Sequence, residues 1–384
     1  MASAHDEASD ESSAHDGDRT VVVGLLCDPG LPSEVVRRFT DDLEADLSVH
    51  VTDEVEWDVR MRTEPLRIDD EDQFPLVNLS KIVLPKYKWD LLVCVTDLPR
   101  RIGTHPVVAD ISVSNGVALA SLPALGVWRM RRRLYDTLIY LVGELGKSSL
   151  LSVRAGRERR EAGSRLKPVR WVDHSDAEIE VSLALVGWRG RLRLLAGMVR
   201  GNKPWRLVPE LSTALAAGSA AAAFGIFYGS IWTLADALSP FRQVLISLLA
   251  IASMVTWLIL YNRLWERRSS SREKAILYNV STLASLLFGV AAAYSVLFAV
   301  TLMGALTVID PGYLEQSLGH PVGIVDYLRL TWLSSSLGTF AGALGSSLES
   351  EEAVYRAAYS MRERQRRQRA REQQEQEARE HYGD

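Results

Sequence analysis

Three long apolar stretches in the second half of the chain limit its fold more than any other feature of the sequence. A helix needs roughly 20 apolar residues to cross a hydrocarbon layer of about 30 Å, and each stretch is close to or above that length. They are residues 211–234, 244–261 and 276–309. A fourth stretch, 327–348, carries Arg329 near its start, where a long basic side chain can extend its charge to the interface. The sequence therefore predicts an α-helical transmembrane domain with four spans over residues 208–348.

The distribution of Lys and Arg between the connections predicts the orientation of these helices. Basic residues are frequent before the first stretch, between the second and the third, and after the fourth, whereas the other two connections are poor in them. Short cytoplasmic loops are enriched in Lys and Arg. We therefore expect a multi-pass protein of the cell inner membrane whose amino and carboxyl termini are both cytoplasmic. A five-span arrangement is the alternative, and it would put one basic flank outside.

The third stretch is longer than one crossing requires. A helix over all of residues 276–309 would be roughly 50 Å long at about 1.5 Å per residue. It is therefore expected either to project beyond the bilayer or to bend, near Gly289 or Gly304.

Two patterns in the spans bear on function. The central parts of the first three stretches contain no charged residue, although ion and proton pathways usually need such groups. The fourth contains three consecutive serines from Ser334, for which hydrogen bonding between helices and the lining of a narrow pore are the alternatives. A transporter or channel subunit is therefore a less favoured function.

Pairs of small residues predict where the membrane helices approach one another. Gly225 and Gly229 are four residues apart in the first stretch, and Gly338 and Gly342 have the same spacing in the fourth. Small residues at this spacing lie on one helix face and let a second backbone come close. These faces are expected to pack within one chain, or to form the interface of a homo-oligomer or of a complex with another membrane protein.

The first part of the chain has the pattern of a soluble α/β domain. Apolar runs such as TVVVGLLC and LLVCV are typical of buried strands, and they alternate with amphipathic segments typical of helices. Asn115 and Gly116, between PVVADISVS and VALASLPAL, predict a hairpin. Residues 20–150 are therefore expected to form a cytoplasmic α/β domain, a mixed sheet with flanking helices. Residues 1–19, rich in Asp and Glu, are expected to be a disordered acidic tail.

The order of these elements resembles the metzincin-type zinc proteases. In that family a strand ending in Thr-Asp is followed by a loop, an edge hairpin and the active-site helix. Here Thr96 and Asp97 end a predicted strand, VALASLPAL resembles the edge strand, and VGELGK (residues 142–147) lies where the family has VHELGH. The resemblance covers about residues 20–150. In composition and architecture, the whole chain also resembles membrane proteins of high-GC Gram-positive bacteria.

The motif lacks the residues of a zinc site. In HExxH the two histidines hold zinc and the glutamate is the general base. The resemblance places Gly143 and Lys147 at the histidine positions and leaves only Glu144. It therefore implies a degenerate domain with no metal, no cofactor and no catalytic residue. The alternatives are an ordinary helix end in which Glu144 pairs with Lys147, and an unrelated active site.

The loop TDLPRRIGTHP is the main remaining group of polar residues in this domain. It contains Asp97, Arg100, Arg101 and His105. A ligand-binding loop and a solvated connection are the alternatives. An enzyme with Asp97, His105 and Glu144 in its active site is the corresponding alternative function.

Residues 151–207 form a basic connector between the two parts of the chain. Near its end, WRGRLRLLAGMVRGNKPWRLV mixes arginine with tryptophan and leucine, which is typical of an amphipathic element lying in a membrane interface. Arginine is expected on anionic phosphates, so the lipid bilayer and its anionic lipid are the expected partners, whereas nucleic acid is not favoured. The interfacial residues are Trp188, Arg189, Arg191, Arg193 and Trp205.

The last segment, residues 349–384, is dominated by Glu, Arg and Gln. It is expected to be a charged helical or disordered tail, with contact to lipid or RNA as the alternative. For the whole chain, the favoured function is a membrane-anchored cytoplasmic domain that lacks catalysis and acts in binding, scaffolding or sensing.

Overall fold

The computed structural model describes residues 20–53, 55–66, 74–103, 105–149, 169–173, 179–265 and 272–345. Both predicted tails, 1–19 and 349–384, lie outside these ranges. Residue 150 and the first part of the connector, residues 151–168, also lie outside them.

The first part of the chain folds around one mixed sheet, which confirms the predicted class of this domain. Its strands are β1 (Thr20–Cys27), β2 (Glu56–Thr63), β3 (Leu91–Thr96), β4 (Arg100–Ile102), β5 (His105–Ser112), β6 (Val117–Ser121), β7 (Val169–Asp173) and β8 (Val181–Leu185). Their order is β2-β1-β3-β6-β5-β8-β7, with β4 paired to the start of β5. The first four strands in this order are parallel, and the pairs that involve β5, β7 and β8 are antiparallel.

Helices cover the sheet because parallel strands need crossover connections. They are α1 (Leu31–Val36) and α2 (Thr40–His50) between β1 and β2, α3 (Leu76–Tyr87) between β2 and β3, and α4 (Leu122–Leu125) and α5 (Met130–Ser149) after β6. α5 contacts α2, and right-handed crossovers place α3 on the opposite face. β3 and β6 are buried at every position, as expected for strands covered on both faces.

The sheet continues beyond residue 150, where the sequence predicts the end of the domain. β7 and β8 come from the predicted connector and extend the sheet past β5. The predicted hairpin is present as β5 and β6, with Gly116 at a φ of 60° in its turn. However, the segment VALASLPAL provides β6, an interior strand, and β8 covers β5 in turn. An exposed strand edge carries unpaired backbone groups, and β8 supplies partners for those of β5.

The described residues after β8 are all helical or in short connections. The helices are α6 (Gly187–Gly201), α7 (Leu207–Glu210), α8 (Ser212–Phe227), α9 (Gly229–Ala237), α10 (Pro240–Tyr261), α11 (Arg272–Val308), α12 (Pro311–Leu318) and α13 (Ile324–Gly345). α10 and the Ala275–Val308 part of α11 are long and apolar enough to cross a membrane. α8 and α9 meet at an angle of 87° and provide a third span if the bent pair counts as one.

α11 is one uninterrupted helix. Its 37 residues would extend over roughly 55 Å, well beyond the about 30 Å of a hydrocarbon layer. The first turns of α11 belong to the sheet domain, because Leu277 and Tyr278 pack against its hydrophobic core. Ser285 lies about two turns further along α11. Its Oγ accepts a hydrogen bond of 2.8 Å from the side chain of Asn202, which follows α6. The excess length of the third apolar stretch therefore connects the bundle to the sheet domain.

α8 and α13 make a close backbone contact through small residues. A Cβ on Gly338 would lie 2.5 Å from the carbonyl oxygen of Gly218, and one on Gly342 would lie 2.8 Å from that of Ala214. Both distances are shorter than any van der Waals contact, so only glycine fits at these positions.

The other two predicted glycines differ from each other. Gly225 also lies at the α8–α13 contact, where a Cβ would meet the Ser334 side chain at 1.8 Å. Gly229 begins α9 instead, and the nearest atom to its Cβ position is 3.9 Å away on Trp232. The structure therefore brings three of the four predicted glycines together within one chain and leaves Gly229 outside that contact.

Polar side chains join three helices of the bundle. Ser247 of α10 lies 3.0 Å from Ser336 of α13, and Tyr294 OH of α11 lies 3.0 Å from the same Ser336 Oγ. Trp332 Nε1 donates a further hydrogen bond to Ser247 Oγ at 2.5 Å. These contacts are hydrogen bonds between helices, the first of the two interpretations of the serine-rich fourth stretch.

Candidate functional site

The two faces of α6 have different environments. Small residues make one face flat enough to dock on the sheet domain, where a Cβ on Gly197 would lie 2.1 Å from the carbonyl oxygen of Pro123. The other face is open, with Trp188 67% and Leu192 52% exposed. Arg191 is also exposed on this face. The amphipathic element predicted in the connector is therefore a helix that binds protein with one face and presents tryptophan, leucine and arginine with the other.

An apolar groove lies between this open face and the amino-terminal turns of α11. We call it the junction groove, and its volume is about 490 Å³. One wall comes from α6, the other from α11, and the β4–β5 turn region closes one end. The residues that line it are Arg101, Pro106, Trp188, Arg191, Leu192, Leu194, Leu195, Glu273, Ile276, Leu277 and Val280.

An exposed apolar stripe leads from the junction groove along α11. Ile276 and Val280 of the groove are 54% and 42% exposed, and Leu283 and Leu287 continue the same helix face. Residues at this spacing lie one above another on a helix. A contiguous exposed apolar surface of this kind is typical of a contact with another protein or with lipid. The groove is therefore connected to the part of α11 that is apolar enough to lie in lipid.

Two arginines in the groove have different partners. Arg101 pairs with Glu273 at 2.8 Å and also donates a hydrogen bond of 3.1 Å to the backbone carbonyl of Glu273. This ion pair ties the β4 strand of the sheet domain to the first turn of α11. Arg191 has no carboxylate partner among the described residues. Its guanidinium is therefore the cation of the groove that can bind an anion.

The other predicted interface residues divide between the two faces. The Arg189 guanidinium lies over the Trp188 ring at 5.8 Å, and Trp205 is 53% exposed. Arg193 points the other way, and its Nε donates to the carbonyl of Leu125 at 3.1 Å. Burial, followed by the nearby charge of Arg133, lowers the pKa of the Arg193 guanidinium to about 10. Arg193 therefore belongs to the contact between α6 and the sheet domain rather than to a lipid-facing surface.

The loop residues Asp97, Arg100, Arg101 and His105 have different surroundings. Arg100 makes a buried ion pair with Asp110 of β5 at 2.9 Å, and Ser182 of β8 donates to the same carboxylate at 2.6 Å. Asp110 is 1% exposed, so its charge needs this partner. His105 is exposed at the start of β5, and Asp97 is half-buried after β3. Of the four residues, only Arg101 lines the junction groove.

The VGELGK segment lies on α5 at another part of the domain. A Cβ on Gly143 would meet Val51, which follows α2, at 3.7 Å. Val51 precedes β2 and therefore lies at the amino-terminal edge of the parallel strands. Glu144, which follows Gly143 in the sequence, is 8% exposed. Lys147 lies in the last turn of α5.

Asp97 follows β3 and lies at the opposite, carboxyl-terminal edge of the sheet. A strand rises about 3.3 Å per residue, so the length of β3 separates the two edges by roughly 20 Å. Asp97 and Glu144 are therefore not brought together, and a single active site does not include both.

The sequence pattern of the connector predicts one wall of the junction groove, α6, but not the other. Ile276 and Val280 read only as part of a membrane span, although the excess length of that span was an available signal. No family model, curated protein or solved structure matches the chain.

Proposed function

We propose that this protein is a non-catalytic, multi-pass membrane protein that binds an anionic lipid in the junction groove. In this proposal the sheet domain acts in binding or sensing and is joined to the bundle through α6 and α11. The supporting observation is the groove itself. It is apolar, it holds the cation of Arg191, which pairs with no carboxylate in the described part of the chain, and it continues into the exposed stripe of α11.

The proposed ligand follows from the chemistry of the walls. Leu192, Ile276 and Val280 suit an acyl chain, and the Arg191 guanidinium suits a phosphate oxygen. The volume of about 490 Å³ lies within the roughly 300–1,000 Å³ that is typical of ligand sites. A free anion would gain nothing from the apolar walls, so a lipid with a phosphate headgroup matches the groove better.

The proposal includes four spans with both termini in the cytoplasm. α8 with α9, α10, α11 and α13 would be the spans, and the basic flanks of the sequence support this orientation. α13 has 22 residues, enough for one crossing, and its serines and threonines are buried. The sheet domain and the junction groove would then lie at the cytoplasmic leaflet, which carries anionic lipid.

A degenerate zincin-like origin of the sheet domain also remains part of the proposal. The strand that ends at Thr96, the hairpin of β5 and β6, and the helix α5 follow one another in the order of that family. Gly143 and Lys147 in place of histidines support the loss of catalysis. The distance between Asp97 and Glu144 gives the alternative enzyme little support, and the uncharged spans give a transporter little support.

The test is lipid retention by the full-length protein in detergent micelles, measured by native mass spectrometry. Phosphatidylglycerol and phosphatidylcholine of the same acyl length are offered separately. We expect phosphatidylglycerol to be retained preferentially, and Arg191→Gln to reduce its retention by about tenfold, because a hydrogen bond to a charged group contributes about 1.5–3 kcal/mol. Leu192→Asp should reduce retention as well, since it places a carboxylate against the acyl chain.

The matched control is Arg37→Gln, which removes an exposed arginine after α1. It should retain phosphatidylglycerol as the wild type does. Equal retention of the two lipids, or equal effects of Arg191→Gln and Arg37→Gln, would overturn the assignment of the groove.

A further inference from the structure

A second group of ionisable residues lies at the end of the bundle remote from the sheet domain. Asp236 is in the last turn of α9, His320 lies between α12 and α13, and Asp326 is in the first turn of α13. One candidate ligand atom from each residue lies within 4.8 Å of the others. Three separate elements of the chain therefore bring one imidazole and two carboxylates to the same place.

Hydrogen bonds orient the imidazole toward the carboxylates. His320 Nδ1 lies 3.0 Å from the carbonyl oxygen of Pro321. A carbonyl oxygen only accepts, so Nδ1 carries the hydrogen, and in the neutral ring Nε2 carries the lone pair. A histidine that binds a metal through one ring nitrogen commonly donates the N–H of its other ring nitrogen to a backbone carbonyl.

The contact between His320 and Asp236 needs a cation. Nε2 of His320 lies 3.2 Å from Oδ2 of Asp236. Two lone pairs at that distance repel each other unless a proton or a metal ion lies between them. Asp326 is held in place next to them, because its Oδ2 accepts a hydrogen bond of 2.8 Å from the backbone of Gly323.

Arg329 is the other charged group at this site. Its Nη1 lies 3.4 Å from Oδ1 of Asp236, on the oxygen that does not face His320. With a neutral imidazole, the two carboxylates and the guanidinium leave one net negative charge. Arg329 therefore weakens the attraction for a cation but does not occupy the oxygen that faces the histidine.

We propose that Asp236, His320 and Asp326 form a binding site for a divalent transition-metal ion, with Zn²⁺ the best match. Nitrogen and carboxylate oxygen are both zinc ligands, whereas Mg²⁺ and Ca²⁺ are bound by oxygen alone. Ligand atoms at about 2.1 Å from zinc lie roughly 3.4 Å apart in a tetrahedron, so the donors must move closer by rotation of the carboxylates. Three protein ligands leave the fourth position for water, and the bound ion would connect α9, the α12–α13 connection and α13.

The experiment uses the full-length protein in detergent micelles, free of any affinity tag and treated with a chelator. Zn²⁺ is titrated in competition with a chromophoric chelator, and Mg²⁺ is titrated for comparison. We expect one equivalent of Zn²⁺ to bind, with a rise in the midpoint of thermal unfolding, and no comparable binding of Mg²⁺. His320→Gln should lower the affinity for Zn²⁺ by about tenfold or more. Arg329→Gln should raise it, because a competing positive charge is removed.

The matched control is His50→Gln. His50 is exposed, whereas His320 is half-buried, but its Nδ1 likewise faces a backbone carbonyl, that of Asp46 at 2.9 Å. Among the described residues, His50 belongs to no cluster of this kind. This variant should bind Zn²⁺ as the wild type does. The proposal fails if the wild type shows no saturable Zn²⁺ binding, or if His320→Gln and His50→Gln have the same effect. In either case the cation between His320 and Asp236 is a proton.

Discussion

The α8–α13 contact inside the bundle and the α6–α11 contact at the junction groove are opposite solutions to the packing of two apolar helices. In the first, Gly218 and Gly338 let the backbones touch, so that even one added carbon atom has no space. In the second, Leu192 and Ile276 keep the helices apart and leave about 490 Å³ between them.

This difference distinguishes a structural contact from a binding contact, although both are formed by apolar helices. Glycine has no side chain, so two helix backbones can touch and no space remains between them for a third molecule. Large apolar side chains that are half exposed leave surface that another molecule can cover. The first contact is expected to be sensitive to added volume, and the second to added charge.

The largest expected effect is at the closed contact. Gly338→Leu should reduce the free energy of unfolding of the bundle by about 3 kcal/mol, because the backbone of Gly218 cannot move away from the added side chain. The measurement is thermal unfolding in detergent micelles. Gly229→Leu is the control, since a Cβ there meets nothing closer than 3.9 Å. Similar losses in the two variants would contradict the assignment of Gly338 to a backbone contact.

A smaller effect is expected where α6 docks on the sheet domain. Gly197→Ala forces a methyl group to within 2.1 Å of the Pro123 carbonyl oxygen. The clash should cost about 1–2 kcal/mol after the gain in helix propensity, and it should displace α6 from one wall of the groove. Hydrogen exchange of the α6 amides should become faster, and phosphatidylglycerol retention should fall. Ala196→Ser, one residue earlier on an exposed position, should change neither; if it does, the effect is not specific to docking.

The smallest expected effect is at the ion pair across the junction. Glu273→Gln removes the partner of Arg101, but Glu273 is 56% exposed. The free energy of unfolding should fall by less than about 1 kcal/mol, as is typical of surface ion pairs. The loss should be largest at low salt and disappear at high salt, because mobile ions screen exposed charges. Glu315→Gln on α12 is the control, and an equal, salt-dependent loss there would show that the Arg101 pair has no special role.

Local patterns predicted most of the secondary structure. The buried strands β1 and β3, the Asn115-Gly116 hairpin and the helix α5 all follow from the spacing of apolar residues and from turn chemistry, which depend on neighbours in sequence. The addition of β7 and β8 to the sheet was not predicted. β8 pairs with β5, and the two strands are separated along the chain by everything between Ser112 and Val181, while β7 joins the sheet only through β8. Pairing over such a distance has no local signature.

The candidate sites show the same division. Arg100 and Arg101 are adjacent and chemically identical, yet one is buried on Asp110 and the other reaches Glu273 on α11. In a strand, neighbouring side chains point to opposite sides, and only the folded chain decides what each side meets. The junction groove and the His320 cluster could not be predicted for the same reason, because their residues come from elements that are distant in sequence.

The sequence alone determined that the second half of this chain is rich in apolar helices and that the first half contains a mixed α/β sheet. Both conclusions depend on the burial of apolar side chains at helical or strand spacing, which is a local property. The tertiary structure decided that the surplus turns of α11 join the sheet domain, that α6 faces both protein and solvent, and that His320 meets Asp236. Such contacts depend on how whole elements pack. The free energy of that packing comes from residues that are distant from one another in the sequence.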